Sequence, residues 1–421
     1  MSQRQLQRFK VVSMALEGRC TVSEAAQALG VSPRQLKRLK AAVRERGARG
    51  VVHGNSQRAS PRRTDKRLRL RVTRLAGKKY LGFNDTHMCE FLAQDEGIVI
   101  GRETLRRILR SQGLASPKKH RPPRHRSRRP RRPQQGMLLQ LDGSYHDWLE
   151  GRGPWLCLLS AIDDATSTLV AARFEVAEDS AGYLRLLRQI VNTRGIPLSV
   201  YTDRHGVFMV SRTNWTVQEQ LAGKQEPTQV ARALEQLGIG LIPANSPQAK
   251  GRVERLFGTL QSRLVSEMRL ARTRTLEQAN DFLEAFLPRF NKRFARTATE
   301  PQIAYRPLPK SVDLDRICSL GYRSIVGNDN TVRIHGRTID IPPGPGGRSF
   351  AKSPVLSHQF LDGSWRVYFH DRLIAQTQPQ PSLTLRALGN PRASANSYSP
   401  SVALRSKPLP PGGDIFTGQP G

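Results

Sequence analysis

Over residues 5–46 the apolar positions recur at helical spacing. Two helix starts stand out, Thr21 with Glu24 and Ser32 with Gln35, each pair spaced as a capping box requires. Pro33 takes a position where helices tolerate proline. Leu29-Gly30-Val31 supplies a tight turn between the two helices. The pattern predicts a helix-turn-helix over 1–55 whose second helix presents Arg34, Gln35, Lys37, Arg38 and Lys40 toward a major groove. A three-helix bundle with a solvated basic face is the plainer alternative.

A second helical unit is expected over 56–115, with Met88, Phe91 and Leu92, then Leu105, Ile108 and Leu109, at helical spacing. Its last helix is again basic, but its turn is less regular, so it reads either as another helix-turn-helix or as a dimerisation module. Residues 116–136 carry many Lys and Arg, several prolines and no acid, which predicts a linker able to track a phosphate backbone.

From residue 137 the texture changes. Three apolar runs, MLLQLDGSYHDW, WLCLLSAIDDA and STLVAARFEV, alternate with short polar turns and predict an antiparallel meander. A helix (183–192), the strand LSVYTD, a helix (228–237), the strand GLIP and long helices over 248–268 and 276–295 complete a mixed α/β domain over 137–300, with about five strands. Short strands punctuated by Gly, Pro, Asn and Asp predict a small β-barrel over 310–376. Residues 377–421 have the composition of a disordered tail. The expected fold class is therefore multidomain: all-α, then α/β, then a small C-terminal barrel.

Charge narrows the partner. Lys and Arg number 68 against 34 Asp and Glu, a formal charge of +34 that favours a polyanion, nucleic acid before a membrane surface. No run of about 18 apolar residues predicts a membrane span. Cys20, Cys89, Cys157 and Cys318 are far apart and form no CxxC pair, so neither a disulfide framework nor a zinc site is indicated. The first residues lack the apolar core of a secretory signal, and a cytoplasmic, nucleoid-associated bacterial protein is the expectation.

The candidate chemistry lies in three acids. Asp142 and Asp203 each close an apolar run, where an α/β sheet delivers side chains to its edge. Glu254 falls on a helix whose stripe Val253, Leu256, Phe257, Leu260 and Leu264 would pack on the sheet. Three carboxylates so placed suit hard cations, Mg²⁺ or Mn²⁺, with two ions flanking a nucleic-acid phosphate. Capping or pairing with arginine is the alternative for any one of them. Asp163 and Asp164 read as turn formers, and His146, Asp147 and His205 as bystanders. No Walker loop and no Ser-His-Asp set stands out.

LDGSYHDWLEGRG, AIDDATSTLVAARF, YTDRHGVF, RALEQLGIGLIPANSPQAKGRVERLFGTLQSRLV and FNKRFAR resemble the catalytic core of bacterial insertion-sequence transposases, the ISNCY group in particular. The resemblance implies a ribonuclease-H-like, integrase-type core with a DDE triad at Asp142, Asp203 and Glu254, and SPQAKGRVER is its most specific stretch. Lys250 and Arg252 beside the third acid are candidate phosphate contacts. The family implies binding of terminal inverted repeats in double-stranded DNA, hydrolysis exposing a 3′ hydroxyl, attack of that hydroxyl on target DNA, and at least a homodimer. One departure is the spacing of 51 residues between positions 203 and 254, which suggests an insertion around VFMVSRTNWTVQEQLAGKQEPTQ. Trp215 in it could touch DNA or a partner, although a solvated loop is the plainer reading. The rivals are a noncatalytic DNA-binding regulator or inactivated relic, a nuclease that does not join strands, and a packaging protein.

Overall fold

The computed structural model describes residues 1–55, 63–115, 129–210, 215, 217–244 and 251–379. It divides into two compact units, Met1–Lys78 with Arg106–Leu114, and Lys79–Leu105 with Ala115–Gly421.

In the first unit, α1 (Gln3–Leu16), α2 (Val22–Leu29) and α3 (Pro33–Arg46) close over Val12, Ala15, Ala25, Ala26, Leu36, Val43 and Val51. The capping box at Thr21 forms in both directions, Thr21 N–H to Glu24 at 2.8 Å and Glu24 N–H to the Thr21 hydroxyl at 3.2 Å. Ser32 accepts from the Gln35 amide, and an unanticipated second box at Ser2 and Gln5 starts α1. Gly30 ends α2 at φ 62°, a left-handed conformation that glycine reaches without a Cβ penalty. α4 (Lys66–Gly77) follows, begun by the carboxylate of Asp65. α5 (Asp85–Glu96) belongs to the second unit, and the residues of α6 (Arg102–Ser111) fall in both.

The second unit is built on a five-stranded mixed sheet. β1 (Leu139–His146), β2 (Leu156–Asp163) and β3 (Leu169–Glu175) form the expected antiparallel meander. After α7 (Ser180–Arg194) the chain returns as β4 (Ser199–Thr202). The short α8 (Val217–Ala222) and then α9 (Gln229–Gln236) lead to β5 (Gly240–Pro243). The order is β3-β2-β1-β4-β5, with β4 parallel to β1 and β5 parallel to β4. One face is covered by α7 and α9 through Tyr183, Leu187, Ile190, Ala233 and Leu234. The other is covered by α10 (Gly251–Leu270) and α11 (Leu276–Phe294) through Leu256, Leu260, Leu264, Leu283 and Phe286. With both faces covered, β2 is buried along its whole length, which is why it reads as a nearly unbroken apolar run.

Several expectations are corrected. Asp142 is not at a strand end: β1 pairs with β2 from Leu139 to His146, so the acid sits mid-strand. The proposed insertion is not all loop, since Val207 and Phe208 are buried in the sheet's core and the Glu219 carboxylate is buried too. Residues 211–214 and 216, also within that stretch, lie outside the described residues.

The third correction is the barrel. After α12 (Leu314–Ile317), β6 (Leu320–Ile325) pairs with β9 (Pro354–Gln359), which pairs with β10 (Trp365–Phe369) and then β11 (Arg372–Gln376), an open four-stranded sheet. β7 (Thr331–Ile334) and β8 (Arg337–Asp340) pair only with each other. Their turn, His335-Gly336, holds both residues at positive φ, so TVRIHGRTID folds back as a self-contained hairpin. Among the described residues no ladder closes the ring. Two sheets packed over Val332, Ile339, Trp365 and Val367 require the same inward alternation as a barrel, so the pattern alone could not separate them.

The basic linker also ends earlier than its composition suggests. Residues 129–136 are built into the second unit: Arg131 donates to the carbonyls of Asp164 and Ala165, and the Ala304 amide donates to the Gln135 carbonyl. α5 is likewise anchored there, by His87 Nε2 to Glu267 at 3.0 Å and by Arg263 gripping the Glu90 carboxylate with two bonds of 2.8 Å. Burial, against the pull of Glu267, lowers the His87 pKa.

Candidate active site

Strand alternation sorts the acids onto one face. Leu139 and Leu141 of β1 enter the α7/α9 core, so Gln140, Asp142 and Ser144 belong to the other face, where Gln261 of α10 donates to the Ser144 hydroxyl at 3.4 Å. β4 pairs with β1 as Leu139↔Val200 and Gln140↔Tyr201. Carried on by two residues, the same offset leads from Asp142 to Asp203, one residue past the end of the neighbouring parallel strand. β4 ends at Thr202, and the Asp203 carboxylate accepts the His205 amide at 3.1 Å, a local turn that stops the strand there. Both aspartates are partly exposed.

Glu254 stands in the first turn of α10 and is exposed, between buried Val253 and exposed Arg255. Val253, Leu256, Phe257 and Leu260 bury into the core on the face that carries Asp142, and α10 touches β1. Asp142 and the helix that carries Glu254 thus belong to one side of the sheet, and Asp203 lies in the turn at the end of the adjacent strand. Among the described residues, however, no three Asp, Glu, His or Cys side chains gather closely enough to hold a metal ion. One acid is on β1, one lies just past the end of the neighbouring β4, and the third is on the helix covering the face that carries Asp142.

Lys250 lies outside the described residues. Arg252 does not extend into solvent: one guanidinium nitrogen meets Asp164 at 2.5 Å and the other meets the Arg129 carbonyl at 2.8 Å. In the first unit, Arg34, Gln35, Lys37 and Arg38 are exposed along α3, whereas the Lys40 amine donates to the Ala15 carbonyl at 2.8 Å.

Sequence reasoning missed two acids of consequence. Glu178, before α7, lies against Gly143, where a Cβ would come 2.7 Å from its carboxylate, and it accepts from the Tyr183 hydroxyl at 2.6 Å. The signal was the glycine next to Asp142 inside a strand, a mark of close approach. Burial, with Glu178 and Asp142 adding to it, pushes the Cys157 thiol up to about 12, so this cysteine stays protonated and is no nucleophile. Asp164, read from the sequence as a turn former, is fully buried and accepts from Arg129, Arg252, Gln140 and the Arg132 amide. Asp163 beside it does form the turn, accepting from the Thr166 amide and hydroxyl and from the Gly136 amide, each at 2.8 Å.

A helix-turn-helix domain family matches residues 7–63. A Sinorhizobium fredii protein named as a transposase, y4bF, is 36% identical over 365 residues, spanning 86% of this chain and 78% of its own. The transposase for insertion sequence IS1202 of Streptococcus pneumoniae is 31% identical over 406 residues, spanning 87% of this chain and 84% of its own. Among solved structures, a simian T-cell lymphotropic virus intasome chain aligns over 73% of this chain and 100% of its own, at 15% identity and a TM-score of 0.30. The chain belongs to the insertion-sequence transposases.

Proposed function

We propose that this chain is a DDE-type transposase that binds transposon ends, cleaves them and joins them to target DNA. The observation that carries this reading is the parallel pairing of β1 with β4, whose offset leads from Asp142 on β1 to Asp203 just past the end of β4, with Glu254 in the first turn of α10 on the face that carries Asp142. The strand order β3-β2-β1-β4-β5, with helices on both faces, supports a ribonuclease-H-like core.

The donor set fits a hard cation, since all three groups are carboxylates and no thiolate or imidazole competes among them. One or two Mg²⁺ or Mn²⁺ ions held by Asp142, Asp203 and Glu254 would supply activation of the attacking oxygen and stabilisation of the leaving one. The protein's own work is positional. β1 and the turn that ends β4 would present two carboxylates, and the first turn of α10 the third. In the first step water attacks phosphorus and the bond to the 3′ oxygen breaks, leaving a 3′ hydroxyl. In the second, that hydroxyl attacks a target phosphodiester and displaces its 3′ oxygen. Residues 1–55 read the duplex through Arg34, Gln35, Lys37 and Arg38, and the net charge of +34 adds binding independent of sequence. Two ends must meet for joining, so the working form is at least a homodimer.

The test is transfer of a labelled transposon-end duplex into plasmid with Mg²⁺, comparing the full chain with Asp142→Asn, Asp203→Asn and Glu254→Gln. Loss of cutting and joining in each variant, with duplex binding kept, is expected. A wild-type chain that binds the duplex but neither cuts nor joins it is instead a noncatalytic DNA-binding protein.

A further inference from the structure

Asp164 receives more hydrogen bonds than a turn former needs. Its side chain is fully buried, yet Oδ1 accepts from Arg252 at 2.5 Å, Arg129 at 2.6 Å and Gln140 at 2.8 Å, and Oδ2 accepts from the Arg132 amide at 2.8 Å. Taking a carboxylate out of water is costly unless charged donors saturate it, and here two guanidinium groups and two amides do so.

The donors come from the elements that carry the candidate acids. Gln140 is two residues before Asp142 on β1 and is itself fully buried. Arg252 is two residues before Glu254 in the first turn of α10, and its second nitrogen holds the Arg129 carbonyl. One carboxylate therefore ties the strand of the first acid to the helix of the third. It also ties both to the segment 129–132, which leads toward β1.

We infer that Asp164 is a positioning residue that sets the station of Glu254 through Arg252. The inference rests on the reading of Glu254 as the third acid. Arg252 then serves the site from behind, as the orienting partner of a ligand-bearing turn, and does not itself touch the DNA phosphate. Asp164→Asn keeps the shape but removes the charge and turns an amide toward a guanidinium, so the first turn of α10 loosens while the sheet beneath it persists. Partners of this kind are worth about 10- to 100-fold in metal affinity or activity when removed.

The experiment compares the full wild-type chain with Asp164→Asn, Arg252→Gln, Arg252→Lys and Asp142→Asn. Amide exchange at residues 251–257 is read in metal-free protein, Mn²⁺ binding is read by paramagnetic resonance, and end cleavage is read against Mn²⁺ concentration. Asp164→Asn and Arg252→Gln are expected to speed exchange in the first turn of α10 and weaken Mn²⁺ binding roughly 10- to 100-fold, with duplex affinity unchanged. Arg252→Lys should recover part of the loss, since an ammonium keeps the charge but cannot span both partners as the planar fork does. If Asp164→Asn does not fold, the two Arg252 variants carry the test, because that side chain is partly exposed. Unchanged exchange and Mn²⁺ binding in variants of a chain whose Asp142→Asn form loses Mn²⁺ would overturn this inference alone. Mn²⁺ binding that survives Asp142→Asn would overturn the underlying reading as well.

Discussion

Two pairs of aspartates on the same sheet have opposite environments. Asp163 and Asp164, at the turn after β2, are fully buried and each accepts three or more hydrogen bonds from amides, a hydroxyl or guanidinium groups. Asp142 and Asp203, on β1 and just past β4, are partly exposed. A saturated carboxylate is spent on architecture, because its lone pairs are already committed and its removal strands the donors around it. A partly exposed carboxylate keeps contact with water, and a substrate can reach it. The comparison separates acids that hold the fold from acids that could act on a substrate, and it extends to the basic residues.

The sharpest test neutralises the exposed pair. Asp142→Asn and Asp203→Asn should cut end cleavage by about three orders of magnitude, the equivalent of several kcal/mol at 1.36 kcal/mol per tenfold. Urea denaturation should show their stability unchanged or slightly raised. Neutralising the buried pair should do the reverse: Asp164→Leu leaves Arg129 and Arg252 facing an apolar group, and about 3 kcal/mol or more should be lost in the same denaturation. An Asp142→Asn chain destabilised as much as Asp164→Leu would break the comparison.

A third case is a group buried but only half satisfied. In the C-terminal sheet the Ser319 hydroxyl donates to the Arg316 carbonyl and so must accept from His358 Nδ1, at 2.7 Å, while His358 Nε2 has no partner among the described residues. Burial, reinforced by Arg232 and Arg316 and opposed by Asp313, lowers its pKa from 6.5 to about 4. Above pH 6.5 the ring is neutral folded or unfolded and costs nothing. Between 6.5 and about 4 only the unfolded chain takes up the proton, so stability falls with pH, by up to about 3 kcal/mol from this group. His358→Leu should flatten that part of the pH–stability curve, and an unaltered slope would refute the assignment.

Much of this was legible in the sequence because it depends on local periodicity. The caps at Thr21 and Ser32, the meander of β1 to β3 and the apolar stripe of α10 all follow from spacing alone. What was missed depends on partners distant in sequence. Asp164 looked like a turn residue because its donors Arg129, Gln140 and Arg252 lie up to 88 positions away. β9 has little strand signal of its own, because PVLSHQ begins with proline and carries polar residues, a pattern acceptable once Ser357 and His358 are buried by neighbouring strands. The position of Asp142 differs from the expected strand end because the apolar residues stop at Leu141, whereas pairing with β2 continues through the polar GSYH.

The smallest effects test the comparison on α3, where bases replace acids. Lys40 looked equivalent to its neighbours in sequence, but its amine is committed to the Ala15 carbonyl at the end of α1, whereas Arg34 and Arg38 are exposed. Lys40→Met keeps the aliphatic stem and loses the bond, so it should lower stability by about 1 kcal/mol. Since that amine serves the fold, the change should leave the salt dependence of duplex binding as it was. Arg34→Ala or Arg38→Ala should leave stability within about 0.5 kcal/mol, as exposed substitutions do. If the side chain contacts phosphate, the slope of log affinity against log salt should fall by roughly one per residue; if it reads a base edge, preference at one position should relax instead. Fluorescence anisotropy at several salt concentrations separates the three variants. A Lys40→Met chain that lost slope as the arginine variants do would show that the hydrogen bond to Ala15 does not remove a cation from the binding face, and the distinction drawn for the aspartates would weaken with it.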